Sequence, residues 1–75
     1  MKAGDLCRIV VKNPRYPDVE AFYLESEVIG TFDTLAAGDQ VIVFEKNMVL
    51  DYYYRVMTRH GLREVYYKCV EKIFL

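Results

Sequence analysis

His60 is the chain's single histidine, and Cys7 and Cys69 are its two cysteines. Acid-base or nucleophilic catalysis needs a nucleophile, a base within hydrogen-bond reach and a group that orients the base. One histidine, two cysteines far apart in sequence and scattered carboxylates offer no such set. They also lack the ligand spacing of a zinc centre. The four glycines, Gly4, Gly30, Gly38 and Gly61, stand apart at expected bends, so no glycine-rich phosphate loop is present. The expectation is a protein without enzymatic activity, cofactor or metal. Both cysteines are expected as buried thiols, because cysteine favours burial and two are too few for a disulfide framework; a bridge would join the first strand to the approach to the last.

The residues left to do chemistry are tyrosines and arginines, types that dominate interface energetics. Most fall in one stretch, Tyr52 to Tyr67, which reads as two alternating strands reversed at His60-Gly61. With those two residues as the loop, Arg59 lies opposite Leu62, Met57 opposite Glu64 and Arg55 opposite Tyr66, all on one face. Tyr54 opposite Tyr67 and Val56 opposite Val65 share the other face, which carries no charge until Arg63 and is assigned to the core. The outer face then holds the candidate binding site: Tyr53, Met57 and Tyr66 as anchors, with Arg55 and Arg59 as polar contacts. Without a partner, Arg55 could simply cover the ring of Tyr66. Exposed aromatic residues near a sheet edge would also permit pairing of two copies. An aromatic cage for methylated lysine is not supplied by Tyr52, Tyr53 and Tyr54, because consecutive strand residues point to alternate faces.

The elements that must position this hairpin are also strands. Residues 6–12 form a first strand with Cys7, Ile9 and Val11 inward. Pro14 and Pro17 end it and begin the longest irregular connection. Residues 19–25 stay ambiguous between a short helix capped by Asp18 and bearing Val19, Phe22 and Tyr23, and a loop inserting Phe22 and Leu24 into the core. Residues 27–35 read as a second strand bent at Gly30, and Ala36-Ala37-Gly38-Asp39 as a turn. Residues 40–46 carry the apolar run Val41-Ile42-Val43-Phe44 of a strand covered on both faces, broken at Asn47. Cys69 to Phe74 closes the fold after a tight turn around Tyr67-Lys68.

At 75 residues, 53% hydrophobic and 28% charged, the chain has room for one domain, residues 1–75, and a modest core. No apolar run approaches a membrane span, and the start lacks a signal-like core, so a soluble cytoplasmic protein is expected. The net charge of −1 conceals a split: eight acids face four bases in residues 1–45, and six bases face three acids in residues 46–75. A basic patch on the terminal hairpin could follow, or, in a closed barrel, the two signs could intermix and neutralise each other. Arg55, Arg59, Arg63, Lys68 and Tyr53 could track a nucleic-acid backbone and stack a base, as in barrels of the KOW and Tudor type. An overall pI near 5.7 opposes that partner. Another protein, or a second copy of this chain, is the expected one.

Five short strands with a long first loop and a brief turn before the last strand resemble an all-β, five-stranded SH3-like barrel. Gly4-Asp5-Leu6-Cys7-Arg8-Ile9 resembles the Gly-Asp-x-Val-Arg-Val opening of small SH3-like barrels, among them the variable chain of ferredoxin-thioredoxin reductase and the nitrile hydratase β subunit. Val28-Ile29-Gly30-Thr31 is similar to their second strand and Val70-Glu71-Lys72-Ile73 to their closing one. The layout also resembles small SH3-like proteins of tailed marine phages. In size, opening and the placement of Val41 to Lys46 it is similar to the peripheral E subunit of photosystem I. The resemblance implies the barrel fold and a binding or assembly role, viral or as an accessory subunit of a photosynthetic or redox complex.

Overall fold

The computed structural model describes residues 2–24, 31–46 and 52–74. Seven strands form along them: β1 (Leu6–Ile9), β2 (Asp18–Tyr23), β3 (Phe32–Ala36), β4 (Gln40–Lys46), β5 (Tyr53–Thr58), β6 (Gly61–Tyr66) and β7 (Val70–Lys72), with a 3-10 turn over Tyr67–Cys69. Every pairing is antiparallel, in the order β3-β2-β6-β5-β4-β1-β7. The chain is thus all-β. Among the described residues its sheet has seven strands where five were expected, and it stays open, with β3 and β7 as its edges.

The strand that no expected element accounts for arises from the stretch whose local pattern was ambiguous. Residues 18–23 form neither a helix nor a loop; they extend as β2, with Val19 and Ala21 buried and Phe22 on the opposite face. β2 pairs along its length with β3 and docks on β6 through Ala21↔Val65, Phe22↔Glu64 and Tyr23↔Arg63. Asp18 begins this strand and caps nothing. The expected second strand is observed from Phe32; its beginning at residues 27–30, with the bend at Gly30, and the break at Asn47 lie outside the described residues.

Alternation with period two places one residue in two on a single core: Cys7 and Ile9 from β1, Val19 and Ala21 from β2, Leu35, Val41, Val43, Val56, Val65 and Val70 from the rest. Because strands from both ends of the sheet contribute to this cluster, the sheet must curl around it. Val11 packs partly buried against it, as expected for the inward odd positions of the first segment. Valine predominates, and its branched side chain suits a half-buried pleated surface. β4 departs from expectation here. Val41 and Val43 are buried, but Ile42 and Phe44 are 47% and 54% exposed, so this strand is covered on one face and its apolar run spills onto the other.

The β5–β6 hairpin turns one residue earlier than its sequence suggested. Arg59 and His60 form the loop, and Gly61, at φ 109°, opens β6 opposite Thr58. The Thr58 hydroxyl accepts from the His60 N–H (3.0 Å) and donates to the Gly61 carbonyl (2.9 Å). Consequently Val56 meets Arg63, Tyr54 meets Val65, Arg55 meets Glu64 and Tyr53 meets Tyr66. Moving the loop by one position changes partners by two residues, so the side chains of β5 and β6 keep their faces; Tyr67, expected opposite Tyr54 in the core, instead begins the 3-10 turn and is exposed. Val56 and Val65 are fully buried, while Tyr53, Arg55, Met57, Leu62, Glu64 and Tyr66 share the other face.

The Gly4-Asp5 opening ties β1 to β4. Gly4 N–H donates to the Val43 carbonyl (2.7 Å), and Val43 N–H donates to the Asp5 carbonyl (2.9 Å). The Asp5 carboxylate accepts the Lys2 N–H (2.9 Å) and lies near Lys72. That backbone donor, more than the lysine charges, holds its pKa below the ordinary carboxylate value. Between β3 and β4, Asp39 N–H donates to the Ala36 carbonyl and the Asp39 carboxylate accepts the Ala36 N–H, with Gly38 at φ 89°. No atom would meet a Cβ there. Gly38→Ala is therefore expected to cost about 1 kcal/mol from backbone conformation alone, seen as a lower urea midpoint with an unchanged slope.

Candidate functional site

On the face opposite the core, cross-strand pairing lines up aromatic rings supplied by β3, β2, β5, β6 and the flanks of the last two. Phe32 meets Phe22 edge-on at 5.6 Å between centroids, Phe22 meets Tyr53 at 6.0 Å and Tyr53 meets Tyr66 at 5.9 Å. Tyr66 continues to Tyr67 at 5.1 Å, and Tyr67 to Tyr52 at 6.1 Å. The backbone arranges this row. Phe22 and Phe32 are direct cross-strand partners, as are Tyr53 and Tyr66, and Tyr67 N–H donates to the Tyr52 carbonyl at 2.7 Å. Each edge-on or tilted pair adds about 0.5–1.5 kcal/mol beyond area burial.

Along this row runs a groove of about 590 Å³, floored by Phe22, Phe32, Tyr53 and Tyr66 and flanked by Tyr16 and Cys69. Its outer wall is the connection from β1 to β2. There the Asn13 side chain accepts the Arg15 N–H and the Asn13 carbonyl accepts the Tyr16 N–H, both at 3.0 Å, a turn that presents Tyr16 to solvent. The Val10 N–H donates to the Cys69 carbonyl at 2.9 Å and so ties this wall to the 3-10 turn. The charged groups at the groove are Lys12, Asp18 and Glu20.

The candidate residues expected on the outer hairpin face are on that face but divide between two surroundings. Tyr53 and Tyr66 line the groove. Met57, 42% exposed, lies between Ile42 and Leu62 in a separate apolar stripe. Arg55 forms an ion pair with Glu45 and leaves its buried Nε without a hydrogen-bond partner. Arg59, at the turn, approaches Asp39 at 3.7 Å. Cations do lie over rings, Arg63 above Tyr23 at 4.1 Å from the centroid, Lys72 above Phe74 at 5.5 Å and Lys68 above Tyr67 at 5.9 Å, but the suggested cover of Tyr66 by Arg55 is replaced by the pair with Glu45.

Acids of the first half and bases of the second meet across the sheet in Arg55–Glu45, Arg59–Asp39, Arg63–Asp33 and Lys72–Asp5. The charge split of the sequence is thereby largely cancelled in space. Among the described residues no group of histidine, cysteine and carboxylate side chains could hold a metal, and no helix is long and apolar enough to cross a membrane.

Both cysteines are thiols. Cys7 is fully buried, and burial, reinforced by the Asp5 charge, raises its pKa; burial likewise raises that of Cys69, which borders the groove. Maleimide at neutral pH is expected to modify Cys69 slowly and Cys7 only after unfolding. Mass spectrometry of digested protein would check this, and equal labelling of the native cysteines would contradict the burial of β1.

Reasoning from sequence missed Phe22, Phe32 and Tyr67 as partners of Tyr53 and Tyr66. The alternation Val19, Ala21, Tyr23 was the available signal for β2. Family models, curated proteins and solved structures give no match to this chain, and its functional reading rests on the geometry of the groove.

Proposed function

We propose that the protein is a non-enzymatic interaction or assembly module of SH3-like architecture that captures a segment of another protein in the aromatic groove. Five strands, β1 and β4 to β7, with the 3-10 turn before the last, support that architecture; the chain between β1 and β4 then forms its long first excursion, which carries the paired strands β2 and β3. The observation that carries the functional reading is the unbroken row of rings from Phe32 to Tyr52 beside a groove. Rigid aromatic side chains bury large area at low entropy cost, and tyrosine adds a polar handle for orientation. Cancellation of the basic residues by paired acids weighs against nucleic acid.

Selection of a displayed random peptide library on the protein tests the reading. Enriched peptides are expected to bind the wild type and to lose at least about tenfold in affinity with Tyr53→Ala, yet to tolerate Met57→Ser outside the groove. Peptides that ignore Tyr53→Ala, or salt-sensitive binding of a labelled single-stranded oligonucleotide in their place, would overturn it.

A further inference from the structure

The hydrogen-bond phase of β3 says how a partner can enter the groove. Tyr23 N–H donates to the Thr31 carbonyl at 3.1 Å, so that pair is hydrogen-bonded, and by alternation so are Ala21 with Asp33 and Val19 with Leu35. Phe32 and Thr34 then turn both their N–H and C=O away from β2, onto the open edge of the sheet. Among the described residues no strand covers that edge. The side chains of the same two residues line the groove.

Open edges are normally blunted by short length, charge or proline. β7 follows that rule, with three residues that include Glu71 and Lys72. β3 does not: its inward charge, Asp33, is neutralised by Arg63 at 2.8 Å, and Phe32 stands 44% exposed. Two exposed acids at the groove rim, Asp18 and Glu20, form no ion pair with a described residue, and the rim offers Lys12 alone as a base.

We propose that the partner adds to β3 as an eighth strand, an extended peptide whose backbone pairs with Phe32 and Thr34 and whose groove-facing side chains, every second residue, include both apolar and basic ones. This rests on the reading of the groove as a protein-binding site and specifies its ligand. The apolar side chains lie against Phe32 and Phe22, and the basic ones reach Asp18 and Glu20. Main-chain pairing supplies affinity in such complexes, and the alternate side chains supply specificity.

The probe is the peptide acetyl-Val-Lys-Val-Phe-Val-Lys-amide, titrated into isotope-labelled protein, with two further versions N-methylated on one or the other alternate set of amides. Expected are saturable shifts at Phe32, Thr34 and Phe22, and at least about tenfold slower exchange of the Phe32 and Thr34 amides in the complex. One N-methylated version loses binding and the other retains it. Thr34→Pro abolishes binding, whereas Thr34→Val, which keeps the edge N–H, preserves it; should Thr34→Pro not fold, the N-methylated pair decides alone. Equal binding of the two methylated peptides at groove residues overturns strand addition and leaves the groove reading standing. Absence of saturable shifts with the parent peptide also overturns strand addition, and the library selection then decides the groove reading separately. A peptide-free mass of two chains with both edge amides already protected would assign the edge to a second copy and overturn the proposal.

Discussion

Val65→Asp is expected to leave the chain unfolded. Val65 is fully buried at the middle of β6, paired with Ala21 on one side and Tyr54 on the other. The cation on that face of β6, Arg63, is already paired with Asp33, so a carboxylate among Cys7, Val56 and their apolar neighbours would stay unpaired. Burying an unpaired charge costs several kcal/mol even after relaxation, and a chain of this length has roughly 4–11 kcal/mol of total stability. Val65→Ala, which removes two methyl groups without adding charge, should fold and lose about 2 kcal/mol. Met57→Lys, across the strand pair and exposed, should change stability by no more than about 0.5 kcal/mol. Circular dichroism and urea midpoints of the three variants check the division of faces. A folded Val65→Asp would refute the core.

That division was legible in the sequence because it depends only on parity. Val56, Val65 and Tyr54 sort from Arg55, Met57 and Tyr66 whichever neighbouring pair forms the loop, so placing the reversal one residue late cost the partners and spared the faces. The turn at Gly38 was also readable, since its positive φ is a local demand of the chain. Val41 to Phe44 misled because an unbroken apolar run fits a strand buried on both faces and a strand that exposes Ile42 and Phe44 equally well. Residues 18–23 misled for a different reason: Asp18 satisfies a helix-capping pattern, and only pairing with β3 and β6 selects the extended form. Tertiary pairing overrides such weak local preference.

The groove was therefore half visible. Tyr53 and Tyr66 belong to a local hairpin, and their shared face followed from counting. Phe22 and Phe32 reach the same row only through the contact of β2 with β6, a long-range pairing that no local spacing encodes. The charge split shows the same limit, because its cancellation depends on which strands become neighbours. What the sequence could not supply is what the β2–β3 hairpin supplies: the second wall of the site and its open edge.

Holding that hairpin in place is the task of Arg63, and Arg63→Met is expected to cost about 2–3 kcal/mol, below the 3–5 of a fully buried pair because solvent reaches part of it. Arg63 projects from β6 on the face opposite the groove. Its Nε donates to Asp33 at 2.8 Å, its Nη1 to the Leu62 carbonyl at 2.7 Å, and its guanidinium lies over Tyr23. The ion-paired side chains are 16% and 27% exposed, so methionine would leave the Asp33 carboxylate poorly solvated and unpaired. Asp33→Asn combined with Arg63→Met should recover part of the loss, the signature of a coupled pair. β2 meets β6 through only three residue pairs; with Arg63 gone, the hairpin should open more often and carry Phe22 and Phe32 with it. Amide exchange in β2 and β3 is then expected to accelerate more than in β4 and β5. Peptide binding in the groove should weaken although no groove residue has changed. Uniform acceleration across all strands would mean that the hairpin is fixed by the core alone, through Val19, Ala21 and Leu35, and that Arg63 has no separate hold on the site.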